Sequence, residues 1–317
     1  MEDQIGIIGA GVTGLATAFI LAPDHNVTIV ARDLPGDLGL NWASPWHVFS
    51  FLIPNQEMQR ISFDFYWSLA QRDSSAGVEV YPLTEYFDDP VDESRVWYKT
   101  FMPEFRYISP KDLPAETAAG AKYKSLGINP TIFLPWIKKQ LDAKGVKFIR
   151  KEVASIEEAR KLTGARIIVN ASGVGAKKLV GDEAVRPVRG QTMFVKTPFR
   201  ELFIRDGREY TYVIPRSGSG GVIMGGVKSD RLDSEIDVEL KSDLLRRTNR
   251  ITGGAFEGID ASTAIDIVGF RPGRKGGIRV EREGNVIHAY GAEGAGYIFS
   301  FGVAERVKAL LKEKAKL

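Results

Sequence analysis

Three glycines, Gly9, Gly11 and Gly14, lie in the run Gly9-Ala10-Gly11-Val12-Thr13-Gly14, between the apolar stretch Ile5-Gly6-Ile7-Ile8 and the small and apolar residues Leu15 to Leu21. That spacing suits a turn that cradles a pyrophosphate. Gly9 makes the tight turn, Gly11 lets the backbone approach the phosphates, and Gly14 lets helix and strand pack closely. A helix N-terminus there offers unpaired N–H groups and a positive partial charge to the same phosphates. Val27-Thr28-Ile29-Val30 closes a β-α-β unit, and this frame gives force to a glycine pattern that is weak by itself. Ala31-Arg32-Asp33 follows. An NAD site usually has an acid ending this strand. Asp33 lies slightly late, and Arg32 could pair with a phosphate or lie on the adenine face. Spacing alone leaves FAD, NAD and NADP open.

Little else in the chain could do chemistry unaided. There is no cysteine among the 317 residues, which excludes disulfides, thiol nucleophiles, iron–sulfur clusters and thiolate zinc sites. His25, His47 and His288 fall in unrelated segments without metal-ligand spacing. No G-x-S-x-G elbow or Walker loop is present. An enzyme built from these residues would leave the reaction to a bound organic cofactor. The net charge of +3 is dispersed, so no nucleic-acid footprint is expected. No apolar run is long enough to span a bilayer, and the early first strand argues against a signal peptide.

Several elements must position any such site. Apolar spacing predicts a helix over Glu57 to Gln71. Short β-rich pieces are expected from Gly77 to Ala121, broken by prolines 82, 90, 103, 110 and 114. Asn129-Pro130 is a helix start; the helix should run to Lys144 and stop at Gly145, with Pro135 kinking or restarting it. Val146 to Ile149 and Ala165 to Val169 read as strands. Tyr210 to Ile214 and Val222 to Met224 read as a hairpin turning at Gly218 and Gly220-Gly221. Val238 to Ile251 should be helical, with strands near Ala264 to Val268 and Asn285 to Tyr290. A last helix is expected from about Phe301. The fold class is therefore α/β: a Rossmann-like nucleotide-binding domain (1–50, 128–188 and 270–317) with a mostly antiparallel substrate domain (51–127 and 189–269).

A family resemblance becomes specific at Val286-Ile287-His288-Ala289-Tyr290-Gly291-Ala292-Glu293-Gly294-Ala295-Gly296, continuing to Gly302-Val303-Ala304. This run resembles the signature of the D-amino-acid oxidase family, which includes D-aspartate oxidase. Glu293 departs from it, standing where the family has Gly, Ser or Ala. Ala31-Arg32-Asp33-Leu34-Pro35, Ala43-Ser44-Pro45-Trp46, Val169 to Gly173, Arg186 to Gln191, Tyr212 to Arg216 and Gly269 to Pro272 resemble fungal members. The resemblance implies noncovalent FAD, a D-amino acid and oxygen as substrates, and hydride transfer to the flavin without a side-chain base. It implies that Arg271 grips the substrate carboxylate, that Tyr212 assists, and that the Gly294 carbonyl accepts from the amine. It further implies FAD contacts at Gly9, Gly11, Val12, Gly14, Arg32, Asp33, Ala43, Ser44, Val153, Ser172, Gly173, Arg271, Gly294, Ala295, Gly296 and Tyr297.

Two further departures shape the expectations. His47-Val48-Phe49-Ser50-Phe51 replaces a small-residue run that lies against the flavin in the family. Lys228 falls where D-aspartate oxidases carry a basic residue, so acidic D-amino acids are the expected preference, with Arg205 a weaker second reader. Glu293 could neutralise Lys228 or favour a basic side chain. Rival readings are a glycine or secondary-amine oxidase and a dinucleotide-binding protein without oxidase activity. A homodimer is compatible with the family. Ala315-Lys316-Leu317 resembles a peroxisomal address, so in a eukaryote the import receptor would be a partner and the location peroxisomal.

Overall fold

The computed structural model describes residues 4–37, 47–48 and 55–313. Ala43, Ser44, most of the His47–Phe51 segment and the terminal Ala-Lys-Leu lie outside them.

Two sheets organise the chain. The first has six strands in the order Arg279–Glu283, Val286–Tyr290, Ile167–Asn170, Gln4–Ile8, Asn26–Ala31, Lys147–Arg150. All neighbours run parallel except the hairpin at Arg279–Tyr290. Helices cover both faces of a parallel sheet, so its strands read as unbroken apolar runs rather than alternating ones. Ile5, Ile7, Ile29, Val30, Ile168, Val169 and Ile287 are all fully buried. The second sheet is larger and mostly antiparallel: Ile265–Arg274, Val185–Lys196, Gly221–Gly225, Thr211–Arg216, Leu202–Asp206, Val78–Phe87, Ala119–Ile128 and His47–Val48, with Arg106–Tyr107 beside Ala119–Ile128. Among the described residues no helix is long and apolar enough to cross a membrane.

The helix Gly296–Lys312 is the element on which the first sheet and its helices converge. It packs on Val12–Leu21 and on Gln56–Arg72. Gly302 permits the second crossing, because a Cβ there would lie 2.1 Å from the carbonyl oxygen of Met58. Ser62 Oγ completes the joint by accepting from the N–H groups of Phe301 (3.1 Å) and Gly302 (3.0 Å).

Three sequence expectations are corrected. The final helix starts at Gly296, not Phe301, since burial of Tyr297, Ile298 and Phe299 outweighs the poor helix propensity of its glycines. Pro82 does not break a strand: Val78–Phe87 runs through it opposite Lys124, whose N–H turns instead to the Pro103 carbonyl at 2.9 Å. The nitrogen of Pro82 thus points away from that partner, toward the side where Leu202–Asp206 begins pairing only at Leu83. No ladder bond is lost. Pro135 likewise leaves Pro130–Ala143 continuous, the missing bond falling on the Thr131 carbonyl in the first turn.

Candidate active site

The glycine turn is built as its spacing implies. Gly9 has φ +106, and a Cβ there would lie 2.4 Å from the Ala171 carbonyl oxygen; one on Gly14 would lie 2.0 Å from that of Gly9. Gly11 differs, for a Cβ there meets nothing within 4 Å. It faces open space, at the N-cap of the helix Val12–Leu21, and no side chain caps that helix. The helix Gly296–Lys312 also starts without a side-chain cap. Gly11, Val12, Ala171, Gly173, Arg271, Gly296 and Tyr297 line one cleft of about 170 Å³. Two helix N-termini with unclaimed N–H groups beside an open glycine make a cradle suited to an anionic dinucleotide.

Other expected cofactor contacts do not line that cleft. Ser172 Oγ donates to Asn170 Oδ1 at 2.7 Å, pinning the turn after its strand. Arg32 and Asp33 pair with each other at 2.8 Å at the end of the second strand. Val153 packs against a small core cluster that contains Ile8 and Val30. Ala295 lines a second, larger cavity of about 970 Å³.

Arg271 and Tyr212 stand on strands separated by two others, and each reaches over its neighbour at a glycine. A Cβ on Gly190 would lie 2.5–2.7 Å from three guanidinium atoms of Arg271, and one on Gly225 would lie 2.3 Å from the Tyr212 hydroxyl oxygen. The two groups meet over this glycine floor. Burial pushes the Tyr212 phenol well above its ordinary pKa, while the charge of Arg271 and a hydrogen bond with it work the other way. Arg271, only 4 % exposed, also donates to the Val227 carbonyl at 3.0 Å. Gly294 closes the group, its Cβ position 3.5 Å from Arg271 Cδ. Tyr210, ring centroid 5.6 Å from Tyr212, lines the larger cavity. Gly190 stands in the family-like run Arg186 to Gln191 with no role assigned to it in the sequence, and nothing local marks Gly225. Gly190→Ala should leave flavin content intact and lower kcat/KM at least about tenfold by displacing the guanidinium. Unchanged kcat/KM would show that Arg271 has room to spare.

The basic residues expected to read a second carboxylate are placed otherwise. Arg205 is buried and its Nε lies 2.6 Å from Asp88 Oδ1. The pleat of Leu202–Asp206 turns Ile204 and Asp206 toward the larger cavity, so Arg205 faces away from it. Lys228 does line the cavity, yet its Nζ lies 2.8 Å from Glu293 Oε1. Glu293 adopts φ +49, a left-handed conformation costing a non-glycine residue about 1 kcal/mol. Another unanticipated residue is Arg216, a buried guanidinium whose pKa burial lowers to about 10. It donates to Asn129 Oδ1 at 2.7 Å and ties its hairpin to the start of Pro130–Ala143. Among the described residues no three His, Asp or Glu side chains are grouped to hold a metal.

Residues 4–310 match the family model described as FAD dependent oxidoreductase. The chain belongs to that family. The FAD-dependent oxidoreductase is also similar, over nearly its whole length, to curated D-amino-acid oxidases. The Schizosaccharomyces pombe protein of that name is 35% identical over 99% of this chain and 97% of its own length. The D-aspartate oxidase of Talaromyces thermophilus is 28% identical over 98% of this chain and 95% of its own. The likeness read from the C-terminal signature therefore holds throughout. Among solved structures, glycine oxidase from Geobacillus kaustophilus superposes with a TM-score of 0.75 at 20% identity, covering 100% of this chain and 96% of that one. L-proline dehydrogenase from P. horikoshii does so with a TM-score of 0.75 at 16% identity, covering 98% and 93%. At such identities the two share the fold with this oxidoreductase. FAD is the cofactor, and the open glycine and two uncapped helices suit its pyrophosphate.

Proposed function

We propose that this enzyme oxidises D-amino acids to 2-oxo acids, with release of ammonia and hydrogen peroxide. One observation carries the reading: a buried arginine and tyrosine meet over a glycine floor, beside the cleft that suits FAD. A substrate α-carboxylate placed against Arg271 would receive a two-pronged, charge-assisted hydrogen bond, with the Tyr212 hydroxyl as a further donor. The Gly294 carbonyl, on the turn that packs beside Arg271, is a suitable acceptor for the amine. Held at both ends, Cα has one orientation and needs no side-chain base. Bound FAD supplies the sink for the α-hydrogen as hydride and passes the electrons to oxygen, leaving an imino acid that water hydrolyses.

Anaerobic mixing of the yellow protein with D- and L-amino acids tests this reading. D-enantiomers should bleach the flavin and L-enantiomers should not; bleaching by glycine or sarcosine but by no chiral D-amino acid would replace this reading with an amine oxidase. Lys228 contributes little to substrate choice in this view. Its charge is already met by Glu293, and exposed pairs of this kind are worth about 1 kcal/mol or less. Lys228→Met should therefore keep the ratio of D-Asp to D-Ala turnover within about fivefold. A larger collapse of that ratio would mean the Lys228–Glu293 pair opens for substrate.

A further inference from the structure

Two buried polar side chains, Arg189 (1 % exposed) and Gln191 (0 %), flank the glycine over which Arg271 lies. Side chains alternate along Val185–Lys196, so these two share one face of the strand and Gly190 lies on the other. The guanidinium of Arg189 is met by backbone carbonyls: its Nε donates to that of Asp233 at 2.9 Å and its Nη2 to that of Glu235. Gln191 binds Asp237 as a strand neighbour would. Its Nε2 donates to the Asp237 carbonyl at 2.8 Å, and its Oε1 accepts from the Asp237 N–H at 2.9 Å. The segment so held, residues 226–237, has no helix or strand, only a bridge in which Ser229 and Arg189 exchange backbone hydrogen bonds of 2.9 and 3.0 Å. Every residue from Asp230 to Ile236 is exposed. With so little burial of its own the segment depends on those two side chains for its place.

The same segment reaches Arg271. The Val227 carbonyl accepts from Arg271 Nη1 at 3.0 Å, and the Arg189 carbonyl lies 3.5 Å from that nitrogen. We propose that Arg189 and Gln191 are positioning residues for the oxidation: by gripping the 226–237 strap on one face of their strand, they fix the Val227 carbonyl that aims Arg271 on the other. Two-pronged binding of a carboxylate requires a guanidinium whose plane is set before the substrate arrives, and an acceptor on Nη1 that itself stays in place supplies this. Arg189 and Gln191 act through Arg271 and not on the substrate. This proposal rests on the reading of Arg271 as the holder of the substrate carboxylate.

The test uses the FAD-loaded wild type, Gln191→Met and Arg189→Lys. D-Ala serves as substrate, and propionate, a carboxylate without an amine, serves as a ligand read by its perturbation of flavin absorbance. Gln191→Met should raise KM for D-Ala and Kd for propionate together, each about tenfold, with kcat within about threefold and flavin content unchanged. Arg189→Lys keeps the charge and should show the same pattern at smaller size. In the wild type, where no variant has to fold, saturating propionate should slow amide hydrogen exchange across 227–237, because coupling between two sites is reciprocal. The positioning role is overturned by unchanged KM and Kd in both variants, or by lower Tm and flavin content without a selective loss of carboxylate affinity. Exchange across 227–237 that ignores bound propionate would overturn it too. A wild type whose flavin responds neither to D-Ala nor to propionate would instead overturn the reading of Arg271 on which the role rests.

Discussion

Arg271→Ala should purify yellow and turn over almost no D-amino acid. The side chain is 4 % exposed, and its guanidinium sits between the Gly190 floor and the Tyr212 hydroxyl. Losing a charge-assisted contact to a carboxylate in such a place costs at least about 2–3 kcal/mol, which is roughly 30- to 150-fold in kcat/KM. Arg271 also lines the cleft that suits FAD, but Gly11 and the two helix N-termini that would hold the pyrophosphate lie on other elements, so flavin absorbance per protein should stay near the wild-type value. Half-wild-type kcat/KM would remove Arg271 from the substrate site. Colourless protein would show instead that the residue holds the cofactor.

Gly14→Ala should have the reverse signature: lost flavin together with lost stability. The added methyl would stand 2.0 Å from the carbonyl oxygen of Gly9 and 3.1 Å from its carbon, and both are backbone atoms in the turn. No rotamer can relieve that clash, so the helix Val12–Leu21 must lift from the strand Gln4–Ile8. The cost is of the size of core overpacking, about 1–3 kcal/mol, and it falls on the segment that would cradle the phosphates. A fall in Tm of several degrees and a near-apo visible spectrum are expected. Full flavin content with an unshifted Tm would mean the turn relaxes freely. Gly11→Ala is the control, since its Cβ meets no protein atom within 4 Å; it should fold normally and weaken FAD binding only.

The nucleotide-binding unit was legible because its strand, turn, helix and second strand are contiguous. Local glycine chemistry and apolar spacing suffice to set such a unit. Arg271 was legible for a related reason: the Gly-x-Arg-Pro context and the C-terminal run mark it without any knowledge of its neighbours. Pro82 and the start of the last helix were misread because local propensity was taken to decide them. A proline whose nitrogen faces no partner strand costs nothing, and a buried aromatic turn can absorb a poor helix former.

The residue types thus determined the cofactor-binding architecture, the absence of thiol chemistry and the arginine suited to a carboxylate. Only the tertiary structure decided which charges are free. Lys228 follows a strand of the second sheet and Glu293 follows one of the first, so their pairing depends on how the loops beyond the two strands meet. The pleat says that Arg205 and Asp206 face opposite ways, but only the second sheet's packing says which of them sees the cavity. Gly190 and Gly225 matter because strand register sets them beneath Arg271 and Tyr212. Charge and close approach act through space over a few ångströms, and the chain order of these residues does not record those distances.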